Sequence, residues 1–250
     1  MTWLRRFTAF ILAVAGLVTI YVAVRVSRRI HHFTTEDYAR QKKILEDWPN
    51  LKRYRDANAK LPAPANGNRV VFMGDSITDL WPKVAGGFFP GRDYIDRGIS
   101  GQTTPQMLIR FWPDVIALHP RAVVILAGTN DLAGNTGPQT LDAIEENFMA
   151  MAGIAKQNGV RVILSSILPA YDYPGRRGIY PAANIAALNS WMRGYAAERG
   201  FVYLDYYSAM VDSRRAMKTE LTQDGLHPNK AGYAIMVPLA EKAIHDALLP

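Results

Sequence analysis

The sequence contains no cysteine. Disulfide bonds, a thiolate nucleophile and a cysteine-ligated metal are therefore excluded. Histidine is scarce as well, with five residues in 250, and no cluster of His, Asp and Glu has the spacing of metal ligands. We therefore expect no metal and no other cofactor. The apolar content of 49% is enough for one globular domain with a sizeable core plus an appendage.

Most of the chain carries no excess of basic residues, although the formal net charge is +7. Residues 1–60 hold 12 Lys/Arg and 5 Asp/Glu, whereas residues 61–250 hold 17 of each. A nucleic-acid-binding domain carries its basic excess on a folded face, so nucleic acid is not an expected partner. The excess lies beside an apolar N-terminus, which is typical of a membrane-flanking segment.

The N-terminus contains a long uncharged run, from Phe7 to Val24, with arginines on both sides. As a helix, this run would span about 27 Å, against a bilayer core of about 30 Å. A cleaved signal peptide has a shorter apolar region followed by a small-residue cleavage site, whereas Arg25 directly follows this run. We therefore predict that residues 1–33 are an uncleaved transmembrane anchor, with a cleaved signal as the alternative. The catalytic domain is expected to be membrane-anchored outside the cytoplasm, or secreted if the segment is cleaved.

Residues 34–68 are predicted to form a helical lead-in. A hydroxyl cap and an acidic first turn at Thr34–Asp37 indicate a helix start, and Trp48-Pro49 would end that helix. A turn-rich stretch, Leu61–Asn68, separates the lead-in from the rest of the chain.

Residues 69–250 alternate between short apolar runs and helical patterns. The runs predict five strands, at 69–73, 94–99, 122–127, 160–164 and 201–204. The helical patterns lie at 104–118, 139–158, 182–199 and 229–249. Strands that are apolar throughout are buried on both faces, so the pattern predicts an α/β fold in which helices cover a parallel sheet. Sites in such sheets form at the carboxyl ends of the strands.

Gly74-Asp75-Ser76 directly follows the first predicted strand. A glycine permits a sharp turn, and Ser76 would lie near a helix N-terminus, where backbone N–H groups face the site. Taken alone, this serine is better interpreted as a helix cap.

His227 lies in Asp224-Gly225-Leu226-His227-Pro228, a turn-like stretch before the final helix. An acid three residues before a histidine can reach its Nδ1 within one tight turn and stabilise the imidazolium, while Nε2 takes a serine proton. The alternative for this stretch is a loop histidine with a capping aspartate.

Two other strand ends carry candidate donors for an oxyanion. Asn130, in Gly128-Thr129-Asn130-Asp131, offers an uncharged amide at the rim of the site. Gly98, after the second strand, offers its backbone N–H in a loop too tight for a Cβ atom. The alternatives are a turn asparagine and an ordinary left-handed glycine.

These blocks, in this order, resemble the SGNH (GDSL) hydrolase family, most of all its platelet-activating-factor acetylhydrolase-like branch. The blocks are GDS ending at Ser76, RGISGQTT containing Gly98, GTND containing Asn130, and DGLHP containing His227. The resemblance covers residues 69–250 and implies a flavodoxin-like three-layer sandwich with a five-stranded parallel sheet. It also implies Ser76 as the nucleophile with Asp224 and His227 as its partners. The implied oxyanion hole consists of the Ser76 and Gly98 N–H groups and the Asn130 amide.

The expected activity is hydrolysis of carboxylic esters through an acyl-enzyme on Ser76. The branch favours short acyl groups, and the substrate would be a small-molecule ester, either an acetylated sugar or a lipid ester. Residues 171–178 follow the fourth strand and carry two tyrosines and two arginines, which would either bind a sugar ring or pack as a solvated loop. An O-acyltransferase using the same acyl-enzyme and a non-catalytic carbohydrate-binding module are the alternatives.

Overall fold

The structure is a computed structural model that describes residues 2–64 and 67–249. Ala65 and Asn66 of the predicted turn-rich stretch, and the terminal residues of the predicted anchor and hydrolase domain, lie outside the described residues. The chain divides into two compact units, the first ending at Trp48 and the second beginning at Pro49.

The first unit is built on helix α1, Thr2–Glu46. This helix runs through Thr34–Asp37, so the predicted helix start is absent: a hydroxyl cap acts only where the preceding residues leave N–H groups unpaired. The helix ends just before Trp48-Pro49, as predicted. Among the described residues, no helix combines the length and mean hydropathy of a membrane crossing, and the transmembrane anchor stays a prediction.

The second unit contains a five-stranded parallel sheet in the order β2-β1-β3-β4-β5. The strands are β1 Val70–Gly74, β2 Tyr94–Gly98, β3 Ala122–Leu126, β4 Arg161–Ser165 and β5 Val202–Leu204. The sheet and its parallel pairing confirm the predicted α/β class, and the strand order is that of the flavodoxin-like fold.

Helices precede, connect and follow the strands. They are α2 Lys52–Ala59, α3 Ser76–Asp79, α4 Trp81–Ala85, α5 Thr104–Asp114, α6 Thr129–Leu132, α7 Leu141–Gln157, α8 Ala182–Arg199, α9 Tyr207–Met210 and α10 Lys230–Leu248. The four long ones, α5, α7, α8 and α10, were predicted, and the short α3 and α6 were not. Four residues are too few for a periodic pattern to show.

Consecutive strand residues enter two different cores, because side chains alternate across a sheet. Val71 and Met73 pack with residues of α5, α7 and α8 on one face. Val70 and Phe72 pack with residues of α4 and α10 on the other. Every residue of β1 and β3 is buried, which is why these strands read as continuous apolar runs.

Strands β1 and β3 are neighbours, although β2 lies between them in sequence. The chain leaves β1 towards one edge of the sheet and leaves β3 towards the other. This change of direction opens a crevice at the carboxyl ends of the two strands, where ligands bind in open α/β sheets. Helices α3 and α6 begin at this crevice.

Candidate active site

The turn between β1 and α3 places Ser76 at the first position of α3. A Cβ atom on Gly74 would lie 2.1 Å from Thr78 Oγ1 and 2.8 Å from Thr78 Cβ, so the helix packs this close only against glycine. The Asp75 carboxylate accepts a hydrogen bond from Ile77 N at 2.9 Å and caps the helix. Ser76 N–H has no acceptor among the described residues.

Ser76, His227 and Asp224 form a continuous hydrogen-bonded row. Ser76 Oγ lies 2.9 Å from His227 Nε2, and His227 Nδ1 lies 2.6 Å from Asp224 Oδ2. The structure therefore brings together three predicted site residues, two of which come from the opposite end of the chain from Ser76. The arrangement permits a proton to pass from the serine to the imidazole.

The turn that carries His227 is held by its own hydrogen bonds. Thr222 Oγ1 donates to His227 O at 2.7 Å and accepts from Gly225 N at 3.0 Å. A Cβ atom on Gly232, at the start of α10, would lie 2.6 Å from Leu221 O. Helix and turn thus pack in direct contact, which limits the movement of the imidazole.

Asp224 lies in this turn with its carboxylate bound on both oxygens. Oδ1 accepts from Leu226 N at 2.9 Å and from His227 N at 2.8 Å, while Oδ2 faces the imidazole. Partial burial raises the pKa of the Asp224 carboxyl, but the hydrogen bonds from His227 and Leu226 outweigh it and hold the pKa below its usual value. The carboxylate is therefore ionised at neutral pH and suited to orient the imidazole.

Asn130 lies in α6 with its side-chain amide fixed on both sides. Its Oδ1 accepts from Asn135 Nδ2 at 2.9 Å, and its Nδ2 donates to Gln102 O at 3.0 Å. A second, longer contact joins Nδ2 to Asp75 Oδ2 at 3.3 Å. One amide hydrogen is thus firmly paired with Gln102 O, and the other is held only by the long hydrogen bond to Asp75.

Gly98 does not fit the predicted role of oxyanion donor. Its N–H donates to Asp96 Oδ1 at 2.7 Å and is already paired. A Cβ atom on Gly98 would lie 2.1 Å from Asp79 N. The glycine is needed because the end of β2 packs directly on the backbone of α3.

Gly101, three residues later in the same block, fits this role better. Its φ is +82°, its carbonyl accepts from Asn135 Nδ2 at 3.0 Å, and its N–H has no acceptor among the described residues. The same Asn135 amide also contacts Asn130, so Gly101 lies beside the proposed amide donor. Sequence reasoning chose the glycine nearest the strand end. The block contains both glycines, and only the hydrogen bonding separates them.

Asp75 contributes a fully buried carboxyl to the site. Burial raises its pKa to about 7, against the opposing effects of the Ile77 hydrogen bond and the His227 charge. Because its counter-groups are an N–H and an amide, the charged form is poorly compensated. The neutral form is therefore populated up to about neutral pH.

Two tryptophans of the second unit lie in different surroundings. Trp81 is 1% exposed and packs against Phe72, Phe89 and Tyr233 in the core. Trp112 is 59% exposed on α5. Among the described residues, no group of three or more His, Asp or Glu side chains is arranged to hold a metal ion.

The loop after β4 is pre-organised beside α6. The Asp172 carboxylate accepts from three backbone N–H groups, those of Tyr173, Gly178 and Ile179. Arg176 Nη1 donates to Ala133 O at 2.6 Å and to Gly134 O at 2.7 Å. Since these two carbonyls directly follow α6, the loop is attached to the element that carries Asn130.

This loop exposes two aromatic rings. Tyr171 is 56% exposed and Tyr180 is 60% exposed, and their centroids lie 5.6 Å apart in an edge-to-face arrangement. Tyr173, in contrast, is buried and packs on the domain, whereas binding of a sugar ring by the loop stays a prediction.

Comparison with known proteins identifies the family. The sequence profile of the GDSL-like lipase/acylhydrolase family matches residues 72–235. The chain belongs to this family. The predicted family resemblance is confirmed, and the protein is a GDSL-type esterase.

Solved structures of this GDSL family resemble the chain closely. An acylhydrolase-like protein from Bacteroides fragilis NCTC 9343 is 45% identical, with a TM-score of 0.79 over 81% of this chain and 99% of that one. A GDSL-like lipase from Bacteroides thetaiotaomicron VPI-5482 is also 45% identical, with a TM-score of 0.77 over 80% and 99% of the two chains.

A curated relative of this GDSL esterase matches over a shorter region. It is the uncharacterised lipoprotein YqeF of Bacillus subtilis (strain 168), which is 29% identical over 91 residues. The match spans 35% of this chain and 37% of that protein.

Proposed function

We propose that the protein hydrolyses short-chain carboxylic esters, above all acetyl esters, through an acyl-enzyme on Ser76. The observation that carries this proposal is the row from Ser76 Oγ through the His227 imidazole to Asp224, with contacts of 2.9 and 2.6 Å. The Ser76 hydroxyl contacts the imidazole directly, and Asp224 binds Nδ1, which directs Nε2 towards the serine.

The reaction proceeds in two steps. Ser76 Oγ bonds to the ester carbonyl carbon while its proton passes to His227 Nε2. The bond from that carbon to the alcohol oxygen then breaks, and His227 returns the proton to the departing alcohol. A water molecule, deprotonated by His227, attacks the acyl-enzyme, and release of the acid restores the Ser76 hydroxyl.

The oxyanion of each tetrahedral intermediate binds to three donors in this proposal. They are the N–H groups of Ser76 and Gly101, and the Asn130 amide hydrogen that otherwise makes the long contact with Asp75. The two backbone donors are held in place before the substrate arrives, so they stabilise the developing charge with little reorganisation.

We propose a carbohydrate as the alcohol part of the ester. Tyr171 and Tyr180 present exposed rings on a loop that Asp172 and Arg176 hold rigid beside α6. Aromatic faces of this kind bind the apolar face of a sugar ring at little entropic cost, because the side chains are already ordered. A lipid ester is the competing substrate, and a comparison of acetylated sugars with longer-chain and phospholipid esters separates the two.

We also propose that the N-terminal segment attaches the enzyme to a membrane, with the catalytic domain outside the cytoplasm. The uncharged run from Phe7 to Val24 and its flanking arginines support this, as does the likeness to a lipoprotein. Deletion of residues 1–33 should release an active enzyme into the soluble fraction after cell disruption. Retention of that variant with the membranes would place the attachment elsewhere.

The test of the activity is a rapid-mixing assay with 4-nitrophenyl acetate. A burst of nitrophenol equal to the enzyme concentration is expected for the wild type, and no burst for Ser76→Ala. Ser208→Ala is a matched control, because Ser208 lies far along the chain in another short helix and binds Asp205. Turnover in Ser76→Ala would contradict the assignment.

A second assay decides the substrate class by comparing the hydrolysis of acetylated xylo-oligosaccharides with that of butyrate, octanoate and phospholipid esters. Added sugar acceptors detect acyl transfer.

A further inference from the structure

Residues 49–59, from Pro49 through α2, lie outside the matched family region. We call this segment the strap. It contacts the loop of residues 98–102, which connects β2 to α5 and carries Gly101, and we call that segment the Gly101 loop. Three separate contacts join the strap to this loop.

Tyr54 makes the first contact. Its ring is nearly buried, and its hydroxyl donates a hydrogen bond to Gly98 O. The Arg97 guanidinium lies 4.6 Å from the centroid of the ring, a cation–π geometry. Burial raises the pKa of the Tyr54 hydroxyl, which keeps it protonated as a donor. The strap thereby holds the residue at which the Gly101 loop begins.

Gln102 makes the second contact and connects the strap to Asn130. Its buried side chain donates from Nε2 to Pro49 O at 2.7 Å and accepts from Arg110 Nε. Its backbone carbonyl accepts from Asn130 Nδ2 at 3.0 Å. A single residue therefore binds the start of the strap on one side and the amide proposed as an oxyanion donor on the other.

Asp79 mediates the third contact. Its Oδ1 pairs with Arg53 Nη2 at 3.3 Å, and its Oδ2 accepts from Ser100 N at 3.1 Å and from Ser100 Oγ at 2.6 Å. Arg53 is half exposed, so its ion pair is a weak contribution. Ser100 and Gln102 flank Gly101 on both sides, and each is tied to the strap.

We propose that the strap is a positioning element of the active site, which fixes the Gly101 N–H and the plane of the Asn130 amide. This inference rests on the proposed function, since the donors matter only if an oxyanion forms. An oxyanion donor stabilises charge only at hydrogen-bond distance from the developing oxygen, and a displacement of about 1 Å costs up to about 100-fold in rate. Glycine at 101 cannot hold its own conformation, so neighbouring contacts must do so.

The test uses Tyr54→Phe in the full chain, which removes one hydroxyl and leaves the ring packed. We expect kcat for 4-nitrophenyl acetate to fall about tenfold, with KM within about twofold of the wild type because ground-state binding is unaffected. Amide hydrogen exchange should accelerate in a peptide covering residues 98–103 and remain unchanged in α7.

Thr140→Ala is the control for a loss of stability alone. Thr140 caps the N-terminus of α7, where its Oγ1 accepts from Ala143 N at 3.2 Å, and its side chain is not among the groups that bind the strap or the Gly101 loop. Its loss should lower the unfolding temperature while kcat stays within about twofold. If both variants lose kcat in proportion to their lost stability, the strap is merely structural and the proposal is overturned.

A double-mutant cycle with Asn130→Ala separates positioning from general destabilisation. If Tyr54 acts through the oxyanion donors, Tyr54→Phe should cost clearly less when Asn130 is already absent. Additive losses, or a Tyr54→Phe variant with wild-type kcat and wild-type exchange, would overturn the proposal. If the wild-type chain shows no turnover, the proposed function is wrong. Unchanged hydrogen exchange in Tyr54→Phe would in that case still refute the positioning role of the strap.

Discussion

His227 and Asp224 contact each other twice within one turn of four residues. Asp224 Oδ2 lies 2.6 Å from His227 Nδ1, and Oδ1 of the same carboxylate accepts from His227 N at 2.8 Å. The carboxylate therefore holds both the backbone and the ring of the histidine, which directs Nε2 to the Ser76 hydroxyl.

Asp224→Asn should lower kcat for 4-nitrophenyl acetate by about 100-fold or more, since the amide favours the wrong imidazole tautomer. The loss should be in kcat, because the carboxylate does not contact the ester. Asp212→Asn is the matched control: Asp212 likewise accepts two backbone N–H bonds in an exposed turn, but it lies outside the site. Equal activity in the two variants would remove Asp224 from the mechanism.

Gly98→Ala and Gly101→Ala should impair different properties, the first mainly stability and the second mainly kcat. At Gly98, a Cβ atom would lie 2.1 Å from Asp79 N, so we expect a loss of about 3 kcal/mol in the free energy of unfolding. At Gly101 the nearest atom is 3.8 Å away, so the cost is the left-handed φ alone, about 1 kcal/mol.

Urea unfolding and kcat measure the two effects. For Gly101→Ala, the loss in kcat, expressed as a free energy, should exceed the loss in the free energy of unfolding, because a strained backbone displaces the N–H group. If Gly98→Ala is fully stable but inactive, the original assignment of Gly98 to the oxyanion hole would be restored.

Because of Asp75, the free energy of unfolding should fall as pH rises. Burial raises the pKa of its carboxyl to about 7, so the folded protein retains a proton that the unfolded chain releases above its ordinary pKa. The neutral carboxyl therefore makes its full contribution to the free energy of unfolding at acidic pH. This contribution is lost as pH rises towards 7, by up to about 1.4 kcal/mol per pH unit.

Asp75→Asn removes this titration. We expect urea unfolding between pH 4.5 and 8 to show a smaller decline for the variant than for the wild type, so that the difference in unfolding free energy moves in favour of the variant as pH rises. Parallel profiles would mean that the carboxyl is ionised throughout the range.

Tyr171→Ala and Tyr180→Ala should raise KM for acetylated xylo-oligosaccharides several-fold, since each removes an exposed stacking face. Neither should alter kcat/KM for 4-nitrophenyl acetate by more than about twofold, because its small leaving group does not reach the loop. Trp112→Ala is the matched control, as Trp112 is an equally exposed aromatic on α5. Unchanged KM for the sugars in both tyrosine variants would favour a lipid ester.

Local patterns predicted the sheet well. The apolar runs that end near Met73, Ala127 and Leu164 correspond to strands buried on both faces, and their boundaries were predicted to within one residue. Helix α8 was predicted at its observed bounds because Gly200, in the left-handed conformation, ends it. The helix start at Thr34 was wrong, since the capping pattern does not reveal that the preceding residues are already helical.

The sequence by itself determined the fold class, the family and the residues that meet at the crevice, because burial periodicity and short motifs are local properties. Only the tertiary structure decided which glycine has a free N–H, how the Asn130 amide is oriented, and that Tyr54 and Pro49 hold the Gly101 loop. These depend on hydrogen bonds between residues distant in sequence, such as Tyr54 to Gly98 and Asn130 to Gln102. Such pairs form when folding excludes water and unpaired buried groups become costly, and no local pattern encodes them.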